Sequence, residues 1–242
     1  MRRSTTKVTT TLTLVVVLLV GSLGVATAQE PPEVEGAPGT CQFPPCWGAS
    51  GIGDPYFPKD GNGGYDVSHY GLELAYDPAT DVLDGVATID ARSTQYLGRF
   101  NLDFDGTPAT FNRSNGELRI FPAAGIPVRT HFQTVVTYSG VPVAQSGIDE
   151  GSGWIPTDDG VLVVGQPHVA STWFPANDHP RDKAAFDIAM TVPEGLEAVA
   201  NGALASHDTA ARETPGVWSA PAPTATHPPP VNVGEFVLDE DH

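Results

Sequence analysis

The chain has 242 residues, with 12 Lys and Arg side chains against 29 Asp and Glu and a formal net charge of −17 at pH 7. This length is enough for one large β domain or two small ones with a hydrophobic core. Such an excess of carboxylates repels phosphate backbones and anionic membranes, so nucleic acid is excluded as an expected partner. The acidic side chains are predicted mainly to solvate the surface of a secreted protein.

Residues 1–28 are typical of a secretory signal peptide. Arg2, Arg3 and Lys7 precede the apolar run TLTLVVVLLVGSLGV, which is followed by the small-residue sequence ATA at 26–28. The apolar run spans about 15 residues, whereas a bilayer crossing needs roughly 20. We therefore expect cleavage after residue 28, a secreted, extracellular protein, and no membrane partner afterwards.

Residues 29–53 are rich in Pro, Gly and Glu, show no periodicity and are predicted to be a linker. They contain both cysteines of the chain, Cys41 and Cys46, in the sequence CQFPPC. An oxidising destination favours a local disulfide between them. A thiolate metal site would need more ligands than this segment holds, so we assign the pair a structural role only.

Beyond the linker, short runs alternate apolar and polar residues and end at Gly, Pro, Asn or Asp, as β-strands do. The predicted strands lie within residues 65–77, 81–94, 98–106, 109–122, 131–140 and 160–165, with two more in 185–204. Asn115-Gly116 is a strong hairpin signal, and no window has a convincing helical period. The sequence predicts an all-β protein, a sandwich or saddle-like assembly of mostly antiparallel strands.

No catalytic motif is found in the sequence. Neither the zinc-binding H-E-x-x-H spacing nor the serine motif G-x-S-x-G occurs. His168 and His179, eleven positions apart on predicted loops, are expected to be surface or turn residues rather than metal ligands. Residues 60–66 resemble the start of a calcium loop, but its twelfth position falls at Gly71, so a Gly-rich turn is the expected structure.

Three segments, 54–78, 153–204 and 231–240, resemble the amino-terminal domain of M1 (gluzincin) zinc aminopeptidases of the secreted actinobacterial type. The most specific match is W-F-P-x-N-D-x-P-x-x-K-A-x-F, which spans 173–186. The resemblance implies that residues 54–240 form a saddle-like β domain. In full-length relatives this domain packs against a thermolysin-like catalytic domain and forms one wall of the active-site cleft.

The same resemblance suggests roles for individual residues. Trp173 and Phe174 are expected to fill a seam in the core, and Asp178 to pair with Arg181 or Lys183 in the turn that follows. Gln166 occupies the place of a residue that binds the free α-amine of the peptide substrate. A glutamine offers a carbonyl oxygen but no full charge, so its hydrogen bond to that amine is expected to be weaker than that of a glutamate.

The catalytic motifs of the family, G-A-M-E-N and H-E-x-x-H, are absent from this sequence. We therefore expect no catalytic residue, no metal ligand and no cofactor in this chain, although full-length relatives use zinc, and we predict that the chain is inactive alone. The expected partners are peptide amino termini and a missing or separate catalytic domain.

The sequence also departs from the family pattern in two places. Residues 101–110 lack roughly one strand and turn, and 212–232 place prolines where relatives have strands; proline cannot donate to a central ladder. A truncated or frame-disturbed gene product is one interpretation.

A second functional hypothesis remains open at this stage. The chain is then a secreted β-sandwich binding or adhesion module without enzymatic role. Its contact surface would be the Gly-rich loop at 60–66 or an aromatic cluster around Trp154 and Trp173.

Overall fold

A computed structural model describes residues 46–104, 116–142, 144, 151–165, 168–206, 216–226 and 231–237, together with the backbone of 16–18 and 113–114. The strands are β1 (Val16–Leu18), β2 (Tyr65–Asp77), β3 (Val82–Ser93), β4 (Phe100–Asp103), β5 (Arg113–Ser114), β6 (Glu117–Ile120), β7 (His131–Gly140), β8 (Gly153–Pro156), β9 (Val161–Val164), β10 (Lys183–Thr191), β11 (Glu197–Ala200), β12 (Ala203–Ser206), β13 (Gly216–Ala225) and β14 (Val231–Gly234). The one helical element of the described residues is a single 3-10 turn, Ala170–Thr172. The all-β prediction is confirmed.

The largest sheet has seven strands in the order β1-β7-β3-β2-β10-β13-β12. Its pairs are antiparallel except for β2 with β10, which run parallel. The long hairpin of β2 and β3 turns at 77–82, where the Asp77 carboxylate accepts hydrogen bonds from the backbone of Ala79 and the hydroxyl of Thr80. Strict alternation of buried and exposed residues along β3, β7 and β10 places one face of the sheet in the core.

Two small sheets complete the fold, one with the order β11-β14-β9-β8 and one with the order β4-β6-β5. All three sheets contribute side chains to one buried cluster. Its centre is aromatic: Trp173 lies 4.5 Å from Phe174 and 5.8 Å from Trp154, measured between ring centroids. The prediction that Trp173 and Phe174 fill a core seam is confirmed, since both are buried.

The proline-containing strand β13 corrects the prediction that prolines interrupt the sheet in 212–232. β13 pairs with β10, and Pro221 and Pro223 lie exposed. The register shifts between the pairs Ala184 with Thr224 and Phe186 with Ala220, so β13 bulges where the prolines occur. β12 pairs with residues 217–219 only, so among the described strands the proline stretch has no second neighbour whose ladder would need its N–H groups.

The described part of the predicted linker is packed against the domain. Residue 48 donates its backbone N–H to the carbonyl of Arg99 at 2.8 Å, and the Arg99 guanidinium lies 4.2 Å from the centre of the Trp47 ring. Cys46 is buried and disulfide-bonded. Cys41 lies outside the described residues, so its pairing stays a prediction.

Near the amino terminus, β1 adds to the edge of the seven-stranded sheet at β7. No helix in the described ranges is long and apolar enough to cross a membrane.

Candidate functional site

The candidate site is the segment between the 3-10 turn and β10, residues 173–182, which contains the most specific sequence motif. Its backbone is fixed by a two-residue antiparallel bridge between Ala176 and Asp103, with N–O distances of 2.7 and 3.0 Å. The segment is thereby held across the end of β4. All of its residues from 173 to 179 are buried although the segment is not a strand.

Asn177 connects three parts of the chain. Its backbone N–H donates to the Tyr70 hydroxyl at 2.9 Å. Its side-chain oxygen accepts a hydrogen bond from the N–H of Asn62, and its side-chain nitrogen donates to the carboxylate of Asp182. Asp182 in turn accepts the N–H of Val67 in β2 at 3.3 Å. The amide of Asn177 therefore ties the 60–66 loop and the first residues of β2 to the candidate site.

Asp178 does not pair with Arg181 or Lys183, so that expectation is wrong. Its carboxylate is buried and accepts the N–H of Ser171 at 3.0 Å and the hydroxyl of Thr226 at 2.7 Å. Its backbone N–H donates to the carboxylate of Asp103 at 2.8 Å. Asp178 thus makes neutral hydrogen bonds within the fold instead of a surface ion pair.

Arg181 instead pairs with Asp54, with 3.3 Å between its Nη2 and an Asp54 carboxylate oxygen. Asp54 also lies 3.6 Å from Nε2 of His179, and the Nδ1 of that histidine accepts the N–H of Arg181 at 3.1 Å. His179 was expected to be a surface or turn residue. It does lie in a turn, but only 3% of it is exposed.

His168 also lies closer to the interior than expected. Its Nδ1 is 3.0 Å from a carboxylate oxygen of Asp60, and the Phe57 ring packs edge-on at 5.0 Å. The two histidines therefore contact different carboxylates, Asp60 and Asp54.

Buried carboxylates concentrate around this segment. Asp103, which is partly buried, lies opposite the buried Glu117 across β4 and β6, and the buried Asp178 and Asp182 lie in the segment itself. Burial raises the pKa of the Asp103 carboxyl well above its usual range, and the neighbouring Glu117 and Asp178 carboxylates raise it further. Burial likewise raises the pKa of Glu117 to about 7 and that of Asp182 to about 7, and it raises the pKa of Asp178 and Asp60.

Sequence reasoning missed this cluster because an acidic side chain in an alternating strand is normally assigned to the solvent face. The available signal was local: Asp103 lies between Leu102 and Phe104, and residues 100–102 and 104 are all buried. A strand covered on both faces does not alternate, so its polar residues are also largely removed from solvent.

The Gly-rich loop at 60–66 is a structural turn, as expected. Gly61 has a φ of +66°, and a Cβ at this position would lie 2.7 Å from the Cβ of His179. A glycine is required here because the loop approaches the candidate site closely with a left-handed backbone. Among the residues that the structure describes, no group of three or more His, Cys, Asp or Glu side chains could hold a metal ion.

Gln166 lies outside the described residues, between β9, which ends at Val164, and His168. Its proposed contact with a substrate amine stays a prediction. Trp154 and Trp173, the alternative contact surface, are 0% and 2% exposed. They pack in the core and are not available to a ligand.

The seven-stranded sheet has one face in the core, and we call its other face the open face. A shallow groove of about 780 Å³ lies on this open face. It is lined mainly by small and polar residues of four strands, with Glu73 and Asp84 as its carboxylates. None of the buried carboxylates of the candidate site lines it.

No family model matches the sequence, and no curated protein matches it. Solved structures do match the fold. The M1 zinc metallopeptidase from Deinococcus radiodurans superposes with a TM-score of 0.70 at 24% identity, over 76% of this chain and 45% of that chain. A mutant of that enzyme bound to a Tyr-Ser-Ala substrate gives 0.69 at 24% identity with the same coverage. A mutant two-domain M1 zinc metallopeptidase bound to L-arginine gives 0.70 at 23% identity, again over 76% and 45%.

The present chain thus spans less than half the length of these structures. The all-β content and the mostly antiparallel sheets of this chain are consistent with a match to one domain of these structures. The chain has the all-β fold of the amino-terminal domain of M1 zinc metallopeptidases.

Proposed function

We propose that the chain acts as the non-catalytic amino-terminal β domain of an M1-like zinc metallo-aminopeptidase, forming one wall of the substrate cleft. The observation that supports this is the superposition on M1 metallopeptidase structures over 76% of the chain but only 45% of theirs. One of those structures is described as bound to a Tyr-Ser-Ala substrate. The peptide-hydrolysing activity in this scheme requires the remaining portion of such an enzyme.

The zinc implied by the fold does not fit the residues of this chain. A catalytic zinc needs three protein ligands, as in the H-E-x-x-H motif followed by a distant Glu. The sequence has no such motif, and no His, Cys, Asp and Glu group within the described ranges could hold a metal. Accordingly the role of this chain lies in binding and positioning the substrate.

Gln166 is the residue proposed to anchor the substrate amine. In the sequence it lies two positions after the end of β9 at Val164 and two positions before His168, which contacts Asp60. A short connection between two anchored positions suits a side chain that must meet a small charged group. Its amide oxygen accepts a hydrogen bond from the ammonium group of a peptide.

The proposal also includes secretion and removal of residues 1–28. Cleavage after residue 28 removes β1 and leaves β7 as the edge of the seven-stranded sheet. Amino-terminal sequencing of the exported protein tests this step, and a first residue other than Gln29 contradicts it.

An assay of tyrosine release from Tyr-Ser-Ala tests the proposed function. The chain is assayed alone with added zinc, and also joined to the portion of the Deinococcus radiodurans enzyme that it does not cover. We expect no release from the chain alone and release from the joined protein. Stoichiometric zinc and release by the chain alone contradict the proposal, as does a folded, zinc-loaded joined protein that releases no tyrosine.

In the joined protein, Gln166→Ala is expected to raise KM about ten-fold with little change in kcat. A hydrogen bond with one charged partner contributes about 1.5 kcal/mol, and this one is made in the ground state and the transition state alike. Gln166→Glu is expected to lower KM because a charged acceptor strengthens the bond. Gln133→Ala, on the open face of the large sheet, is the matched control. Equal KM values for all four proteins contradict the role of Gln166.

A further inference from the structure

Three asparagines of the sequence are followed directly by glycine: Asn62, Asn115 and Asn201. In such a pair the backbone nitrogen of the glycine can attack the side-chain carbonyl carbon of the asparagine, because glycine has no Cβ to obstruct the approach. In a folded protein this attack depends on the freedom of both groups. Asn115 lies outside the described residues, and the other two pairs differ in their surroundings.

The pair Asn62-Gly63 is held rigidly. Asn62 is 1% exposed, and its backbone N–H donates to the side-chain oxygen of Asn177. The backbone nitrogen of Gly63 donates to the carbonyl of Ala49 at 2.8 Å. Attack by this nitrogen would break that hydrogen bond in a loop that packs against the candidate site. The reaction at Asn62 therefore requires local unfolding first.

The pair Asn201-Gly202 has neither restraint. It forms the two-residue link between β11, which ends at Ala200, and β12, which begins at Ala203. Asn201 is half-buried and Gly202 is exposed. Within the part of the chain that the structure describes, neither the side chain of Asn201 nor the backbone nitrogen of Gly202 has a hydrogen-bond partner. Both reacting groups are therefore available in the folded protein.

We infer that Asn201 is a site of spontaneous deamidation. The backbone nitrogen of Gly202, after losing its proton to solvent, forms a bond to the side-chain carbonyl carbon of Asn201, and the side-chain nitrogen leaves as ammonia. The product is a five-membered cyclic imide. Water then opens this ring at one of its two carbonyl carbons and leaves either aspartate or isoaspartate. Water is the only co-reactant that the two steps need.

Formation of isoaspartate changes the backbone at a position without spare room. The main chain of the product runs through the side-chain carbon, which adds one atom to the link between Ala200 and Gly202. A Cβ on Gly202 would lie 2.3 Å from the carbonyl oxygen of Ser219, so the backbone of the link already packs closely against β13. The product also brings a negative charge to this contact.

The strand most affected is β12. It lies at the end of the seven-stranded sheet, and β13 is its one neighbour among the described strands. The pairing covers three residue pairs and contains a register shift between Leu204 and Ser206. The strand before the link has a separate attachment, because Nε1 of Trp218 donates to the carbonyl of Ala198 in β11 at 3.2 Å. We therefore expect β12 to lose its pairing with β13 while β11 stays in place.

Peptide mapping of the folded protein tests the assignment. Trypsin places Asn201 in the peptide 184–212 and Asn62 in the peptide 60–92, and neither peptide contains another asparagine or a glutamine. The protein is kept at mildly alkaline pH, and each deamidation makes the peptide one mass unit heavier. We expect the heavier form of 184–212 to accumulate at least about ten-fold faster than that of 60–92, because only the reaction in 60–92 needs local unfolding.

The unfolded protein and one variant are the controls. In guanidinium chloride both pairs lose their tertiary contacts, so the two peptides are expected to convert at similar rates. Asn201→Gln is expected to give no heavier form of 184–212, because a glutamine must close a six-membered ring, which forms much more slowly. A methyltransferase specific for isoaspartate should label 184–212 of the aged wild type and not of this variant.

Hydrogen exchange tests the structural consequence. In the aged protein we expect loss of protection in residues 203–206 and unchanged protection in β3. Freshly prepared Asn201→Asp is the matched control, because it carries the charge without the additional main-chain atom and is expected to keep the protection of β12.

Three results overturn the assignment: equal conversion of the two peptides in the folded protein, faster conversion of 60–92, or no conversion of 184–212. Unchanged protection of 203–206 in protein that has formed isoaspartate refutes the displacement of β12. None of these results depends on the proposed function, which the tyrosine-release assay tests separately.

Discussion

At the scale of single residues, Asn177 shows why the candidate site cannot be treated as a loop. Its side chain is 1% exposed and satisfies both the N–H of Asn62 and the carboxyl of Asp182. An aspartate in its place would bring a second carboxyl against Asp182, and an apolar residue would leave buried polar groups without partners. The asparagine in the sequence motif is therefore explained by hydrogen bonding inside the fold, with no need for a ligand.

We predict that Asn177→Leu lowers the free energy of unfolding by about 3 kcal/mol, since each buried group left unsatisfied costs about 1–3 kcal/mol. Urea denaturation followed by fluorescence measures the change. The control is Asn232→Leu, because the side-chain oxygen of Asn232 has no hydrogen-bond partner among the described residues. A loss for Asn232→Leu as large as that for Asn177→Leu contradicts the assignment.

At the scale of elements, strands β3 and β7 pack closely because a small residue of one strand lies opposite a large residue of the other. Gly85 lies directly opposite Tyr138, and a Cβ on Gly85 would overlap the tyrosine ring, 2.5 Å from its hydroxyl oxygen. The aromatic side chain thus fills the space that the glycine leaves. Burial alone raises the pKa of that hydroxyl, which has no hydrogen-bond partner among the described residues.

Gly85→Ala is expected to destabilise the protein by about 1–3 kcal/mol, the usual cost of overpacking a core. Gly71→Ala is the matched control in the neighbouring strand, because its nearest atoms would lie 3.7 Å away and neither glycine has a positive φ. The control should be neutral or slightly stabilising. Adding Tyr138→Leu to Gly85→Ala should recover part of the lost stability. Thermal denaturation of the wild type, Gly85→Ala, Gly71→Ala and the double variant measures this. If the double variant recovers no stability, Tyr138 does not fill the space beside Gly85.

At the scale of the whole molecule, the sequence predicted most strands because their period and turns are local properties. β2 was predicted with its observed ends, and β7 likewise. β13 was not predicted, because a bulge and a missing neighbour on one side are what make its prolines acceptable, and both depend on distant strands. The carboxylates of Asp103 and Asp178 were missed for the same reason, because their partners are set by the tertiary fold. Asp178 accepts hydrogen bonds from Ser171 and Thr226, and Asp103 accepts the backbone N–H of Asp178.

The buried carboxylates also determine how stability depends on pH. Glu117 and Asp182 have ordinary pKa values of 4.5 and 3.8, and burial raises both to about 7 in the folded protein. Between these limits the folded state binds more protons than the unfolded state, so the free energy of unfolding decreases as pH rises. The contribution is fully present below about pH 4 and is lost as pH passes through 7. Asp60, Asp103 and Asp178 act in the same direction because their pKa values are also raised.

We therefore predict that the protein is more stable at pH 5 than at pH 8, by a few kcal/mol, since one pKa unit corresponds to about 1.4 kcal/mol. Three other carboxyls have lowered pKa values: Asp54, Asp159 and Asp187. They change the free energy of unfolding only at pH values below the ordinary pKa of an aspartate, so they do not affect the interval from pH 5 to pH 8. Urea denaturation at pH 5, 6, 7 and 8 measures the slope. Glu117→Gln and Asp182→Asn should each make it shallower, whereas Asp84→Asn, on the open face, should leave it unchanged. A free energy of unfolding that is constant or rises from pH 5 to pH 8 would show that these carboxyls are ionised in the folded protein.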